Sequence, residues 1–159
     1  MAIVEEVKEE SEITVTVENL KKEGNEKFGQ GDWPAAAEKY KEALNICPTE
    51  NSLLRSVLLS NLSAAYIKQS LWEAAAESAT EAITANAPNE KPLERRAFAY
   101  SNIPEKYQNA VEDYEKLKEQ FPQRIHYQNK IRELQKRIEV RNEEMKNEMI
   151  AKLKQIGKF

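Results

Sequence analysis

The chain is poor in the residues that build disulfide frameworks, metal centres and catalytic dyads. Of its 159 residues, one is a cysteine, Cys47, and one is a histidine, His126. A single thiol closes no intramolecular disulfide, and the opening MAIVEEVKEE has neither a basic region nor an apolar run of signal-peptide length. A cytoplasmic protein is therefore expected. No stretch of about 20 apolar residues is present to span a membrane, so no membrane partner is expected either. A basic excess is also missing: 24 Lys and Arg stand against 27 Asp and Glu, a net charge of -3, which argues against a nucleic-acid surface.

Chemistry-bearing motifs are equally scarce. Glycine-rich phosphate loops, serine elbows and metal-ligand spacings are absent, so no catalytic residue, no metal and no cofactor is expected. His126 opens a charged helical stretch and reads as a solvated surface residue. Cys47, just before Pro48, has no evident base beside it and reads as a small buried or half-buried apolar residue.

What is abundant is Ala, Glu and Lys, against only four glycines and six prolines. That balance favours helices over strands, and the length suits one domain. An all-α protein is expected. Residues 1–16 carry five glutamates and one lysine with no sustained apolar period, so they read as a flexible acidic N-terminal segment.

An internal repeat then organises the chain. DWPAAAEKYKEAL (32–44), LWEAAAESATEAI (71–83) and KYQNAVEDYEKLK (106–118) align column by column. Trp33, Trp72 and Tyr107 share one column, and Ala36, Ala75 and Ala110 another. Each segment follows a second helical pattern, marked by Leu20, Gly24 and Phe28, by Leu59, Ser63 and Tyr66, and by Leu93, Ala97 and Tyr100. Every unit is thus a helical hairpin, and the small residues Gly24, Ser63 and Ala97 let its two helices approach closely. Gly31-Asp32 breaks the first hairpin, Pro48 and Pro122 stop second helices, and Asn89 is placed to cap the helix after Pro88. Pro92 falls in that helix's first turn, where it is tolerated.

From about Arg124 to Ile156 runs one charged helical pattern with Ile131, Leu134, Ile138, Met145, Met149, Leu153 and Ile156 on a stripe. Its first half is expected to cap the last hairpin and its second half to project. Self-association through this helix is the alternative to a monomer.

A polar set stands apart from the packing pattern. Lys21 and Asn25 are four residues apart on the first helix, and Lys91 and Arg95 are four apart on the first helix of the third unit, so each pair shares a helix face. First helices line the concave surface of such a stack, and Asn61 falls between the two pairs. Three cations and two amides on one groove suit carboxylates, because lysine and arginine give charge-assisted donors and asparagine donates without adding charge. An extended peptide ending in its own carboxylate is a natural occupant.

These columns resemble the tetratricopeptide repeat, a 34-residue helix-turn-helix unit. The resemblance places repeats at 17–50, 56–89 and 90–124, with an extension at 51–55 and one extra residue in the turn SNIPEK. The remainder, 125–159, is a capping or extended helix. Ala79 stands where an aromatic is usual, and Ser70 replaces the turn glycine. The implied fold is a right-handed α-solenoid of three helical hairpins plus a long C-terminal capping helix.

Lys21-Lys-Glu-Gly-Asn25, Ser60-Asn61-Leu-Ser-Ala-Ala-Tyr66 and Lys91-Pro-Leu-Glu-Arg95 further resemble the dicarboxylate clamp of the chaperone-binding members of that family. The resemblance implies a non-enzymatic co-chaperone or adaptor that binds the C-terminal Glu-Glu-Val-Asp peptides of Hsp90 and/or Hsp70 through Lys21, Asn25, Asn61, Lys91 and Arg95. A scaffold using the same groove for an unrelated protein is the competing reading. The stretch from Ile138 to Gly157 and the extension after the first repeat resemble one particular branch of the family.

Overall fold

The computed structural model describes residues 1–86 and 90–157. Among them there are seven α-helices and one short 3₁₀ turn, and no strand. The helices are α1 (Ala2–Gly29), α2 (Trp33–Ile46), α3 (Ser52–Lys68), α4 (Trp72–Ala85), α5 (Glu90–Tyr100), α6 (Tyr107–Gln120) and α7 (Ile125–Gln155). They pair in chain order as three hairpins, α1 with α2, α3 with α4 and α5 with α6, and α7 packs along α6. The result is a helical solenoid closed at one end by α7.

Small residues set how closely the helices of a hairpin pack. Ala36, Ala75, Ala97 and Ala110 have no exposed surface, and neither does Ser63. Gly24 is the tightest point: a Cβ there would lie 2.6 Å from Cε1 of the buried Tyr40 ring. Only the absence of a side chain lets α1 lie across that ring.

The turns explain themselves locally. Gly31 has φ +79°, in the region where glycine avoids the Cβ clash, and the Asp32 carboxylate accepts from Ala35 N–H at 3.2 Å to cap α2. Ser70 takes the same role in the second hairpin at φ +58°. In the third, Ile103 leads into the 3₁₀ turn Pro104–Lys106, which absorbs the extra residue. Helix α2 ends at Ile46 and α6 at Gln120, each two residues before a proline. Pro92 sits in the first turn of α5, whereas Asn89, the expected cap, lies outside the described residues.

The N-terminal segment, expected to be flexible and acidic, is helical: residues 2–16 continue α1 without a break. Five glutamates and a lysine in this stretch are good helix formers, and Ile13 and Val17 pack the end of the segment onto the first core. Thr14 and Thr16, weaker helix formers, donate their hydroxyls to the carbonyls of Glu10 at 2.9 Å and Glu12 at 3.0 Å. Residues 1–12 are nonetheless exposed throughout.

At the other end, Tyr127, Ile131 and Leu134 of α7 are buried with Leu93, Ala97, Tyr114 and Leu117 of the third hairpin. Farther along, Met145, Met149 and Ile156 are exposed. The third hairpin is also cross-linked by Arg96, whose guanidinium donates to both carboxylate oxygens of the buried Asp113 at 2.8 Å and to the Thr80 hydroxyl at 3.3 Å. A buried charge needs such a bidentate partner, and this one ties α4, α5 and α6 together.

Candidate functional site

Arg95 and Arg96 are neighbours on α5, yet their side chains leave the helix on different sides. Arg96 turns to Asp113, as described, and Arg95 turns toward α3, where it donates to the Ser60 carbonyl at 2.6 Å and to the Ser60 hydroxyl. Burial works against the Arg95 charge, while Glu94 and Tyr40 support it. A guanidinium held by a backbone carbonyl keeps its charge and most of its donors, so it remains able to bind an anion.

Asn25 and Asn61 face it from the other two hairpins. The Tyr40 hydroxyl donates to Asn25 Oδ1 at 2.6 Å, and Asn61 Nδ2 donates to the same oxygen at 3.4 Å. Both bonds spend the acceptor of Asn25 and leave its Nδ2 donors for something else. Tyr40 is largely buried beneath this contact; desolvation raises its pKa, with Arg95 opposing, so the hydroxyl holds its proton and stays a donor.

Asn25, Asn61 and Arg95 line one cavity of about 200 Å3, together with Phe28, Tyr40 and Ala64. Arg95 is also on the rim of a larger cavity of about 510 Å3 that Lys91 lines. Four of the five residues expected to meet in the groove therefore border two adjoining cavities. Lys21 is placed one helical turn before Asn25 on α1, and its ammonium is 2.8 Å from the Glu18 carboxylate. That pair is partly solvent-exposed, so it holds Lys21 weakly and releases it cheaply.

Several contributors escape the repeat pattern. Tyr40 belongs to the packing columns, and nothing in its spacing shows that its hydroxyl holds Asn25. Ser60 is visible only as a residue beside Asn61. His126 is exposed, yet with Lys130 it lines the larger cavity, so α7 contributes to the groove as well as to the cap. The one signal for that in the sequence is their spacing of four, which puts both on one helix face.

Chemically the site offers donors and cations. Cys47 is buried among the first-hairpin core residues, and burial pushes its thiol up, away from the reactive thiolate. Among the described residues, no group of three or more His, Cys, Asp or Glu is arranged to hold a metal ion. Nor is any described helix long and apolar enough to cross a membrane.

No family model matches the chain. It is 34% identical over 86 residues to the human mitochondrial import receptor subunit TOM70, a match covering 54% of the chain and 14% of that protein. It is 35% identical over 118 residues to the DnaJ homolog subfamily C member 7 homolog of Dictyostelium discoideum, covering 74% of the chain and 22% of that protein. The chain thus spans less than a quarter of the length of these relatives. Among solved structures, the first tetratricopeptide domain of Spaghetti (RPAP3), bound to the HSP90 peptide SRMEEVD, superposes with a TM-score of 0.68 at 26% identity. The superposition covers 76% of this chain and 91% of that domain. The fold is that of a tetratricopeptide-type helical solenoid.

Proposed function

We propose that this protein is a non-enzymatic, cytoplasmic adaptor of the co-chaperone kind, whose concave groove binds the acidic C-terminal peptide of Hsp90 and/or Hsp70. The observation that carries this reading is the meeting of Asn25, Asn61 and Arg95, one from each hairpin, at a single cavity. Residues from three hairpins converge on a small donor-rich pocket, which is the arrangement a terminal carboxylate requires. Lys91 borders the adjoining cavity and supplies a further cation. Lys21 exchanges the Glu18 carboxylate for that of the ligand. The similarity to a domain held with an HSP90 peptide supports the ligand class. The resemblance of residues 138–157 to tetratricopeptide repeat protein 1 points to the same class of adaptor.

The test compares peptides that end in Glu-Glu-Val-Asp with a free or an amidated C-terminus, titrated against the full chain by fluorescence anisotropy. Amidation removes a charge from the cavity and is expected to weaken binding by about ten-fold or more, the value of a hydrogen bond to a charged group. Lys91→Ala and Arg95→Ala are expected to weaken the free-acid peptide and to leave the amidated one little changed. Equal affinity for both peptides sinks the carboxylate reading and leaves the groove as a scaffold for an unrelated protein.

A further inference from the structure

The larger cavity has two walls of different origin. Lys91, Arg95 and Phe98 come from α5, whereas His126 and Lys130 come from α7, with Ile67 at the end of α3. Its two acids, Glu90 and Glu94, are already committed. The Tyr127 hydroxyl lies 2.7 Å from a carboxylate oxygen of each, and the Arg124 guanidinium is 2.7 Å from Glu90. Lys130, by contrast, has no ion-pair partner among the described residues. An ammonium and an imidazole one turn apart thus line a cavity in which Glu90 is ion-paired with Arg124 and Glu94 accepts from Tyr127, while Lys91, Arg95, Arg124 and Lys130 outnumber the two carboxylates.

Continuity decides what fills this space. Arg95 borders both the small donor-rich cavity and the larger one, so a ligand anchored at the first extends into the second without leaving the groove. An extended peptide sends alternate side chains to opposite sides, which lets one residue sit on the exposed Phe98 ring and Ile67 while another reaches α7.

We propose that Lys130, assisted by His126, forms a second anion subsite that takes an acidic side chain of the same peptide, upstream of its terminal carboxylate. This inference rests on the carboxylate reading above. It makes α7 a determinant of which acidic C-termini are accepted, as well as the cover of the third hairpin.

Three peptides of equal length separate the two ideas when titrated against the full chain and its Lys130→Gln variant. The first has acidic residues at the three positions before a free C-terminal aspartate, the second has glutamines at those positions, and the third is the first with an amidated end. Wild type is expected to prefer the first over the second. Lys130→Gln is expected to weaken the first by about two- to five-fold, the range of an exposed ion pair, and to leave the second unchanged. His126→Gln should act in the same direction and more weakly. Lys130 is exposed, so an unchanged thermal transition accompanies the substitution. If Lys130→Gln leaves the first peptide unaffected, or weakens the first and second alike, the subsite is overturned while the clamp stands. If the first and third peptides bind equally, the clamp itself fails and the subsite falls with it.

Discussion

The first and second hairpins solve one packing problem in opposite ways. At the crossing of α1 and α2, a glycine meets a tyrosine: Gly24 has no Cβ, and the Tyr40 ring fills the space. In the matching repeat columns of α3 and α4 stand Ser63 and Ala79, both without exposed surface, and the Ser63 hydroxyl donates to the Ala75 carbonyl at 2.8 Å. One pair combines the smallest residue with a large one, and the other combines two small ones. The turns differ in the same sense. Turn one has glycine at positive φ and an aspartate cap, whereas turn two has Ser70 at positive φ and Leu71 at the cap position with no side-chain bond. Within one repeat architecture, the first hairpin has a relaxed turn and a side-chain cap that the second lacks.

The largest effect is expected where the first pair is broken. In Gly24→Ala the new methyl overlaps a ring that is only 2% exposed, so the ring or the helix must shift. Overpacking of this kind costs about 1–3 kcal/mol, and the helix propensity of alanine returns less than about 1 kcal/mol of it. Urea denaturation should show a net loss of stability. Adding Tyr40→Leu, which removes the overlapping ring atoms, should make the double variant less unstable than the sum of the two single variants. Additive losses would mean that the Gly24–Tyr40 contact does not set the crossing.

Grafting the first turn onto the second is expected to give a smaller change of opposite sign. Ser70→Gly removes a left-handed serine worth about 1 kcal/mol, and Leu71→Asp supplies a cap worth roughly another 1 kcal/mol. The double substitution should therefore raise the urea midpoint, with little change in the slope. A midpoint that falls would show that Leu71, partly exposed at 45%, packs more usefully than its position suggests.

How much of this was legible in the sequence depends on whether a residue acts through period or through direction. Helices and hairpin pairing follow from repeat columns, and the small residues at Gly24, Ser63 and Ala97 mark the crossings. The helix over residues 2–16 was not legible, because apolar periodicity is a signal of burial and an exposed segment lacks it. The groove residues were legible as positions on a face. Their partners were not: spacing places Arg95 on α5, but only the fold shows its guanidinium on the Ser60 carbonyl. Lys130 lies outside the repeats altogether, and its place in the groove depends on the angle at which α7 crosses the third hairpin.

Tyr40 joins the packing comparison to the site and gives the finest test of it. The same ring that requires Gly24 carries the hydroxyl that donates to Asn25 Oδ1, so in the first hairpin core packing fixes a groove amide. In the second hairpin Ala79 has no polar atom to offer, and Asn61 is held by its longer contact with Asn25. Tyr40→Phe keeps the ring and deletes that bond, which should cost about 0.5–1.5 kcal/mol of stability. If the hydroxyl also orients Asn25, affinity for a free-carboxylate peptide should fall by about two- to ten-fold, in proportion to one lost neutral hydrogen bond. In an Asn25→Ala background the same substitution should then leave affinity unchanged, because there is no amide left to orient. A stability loss with unaltered affinity in both backgrounds would confine Tyr40 to the core and separate the packing of the first hairpin from its role in the groove.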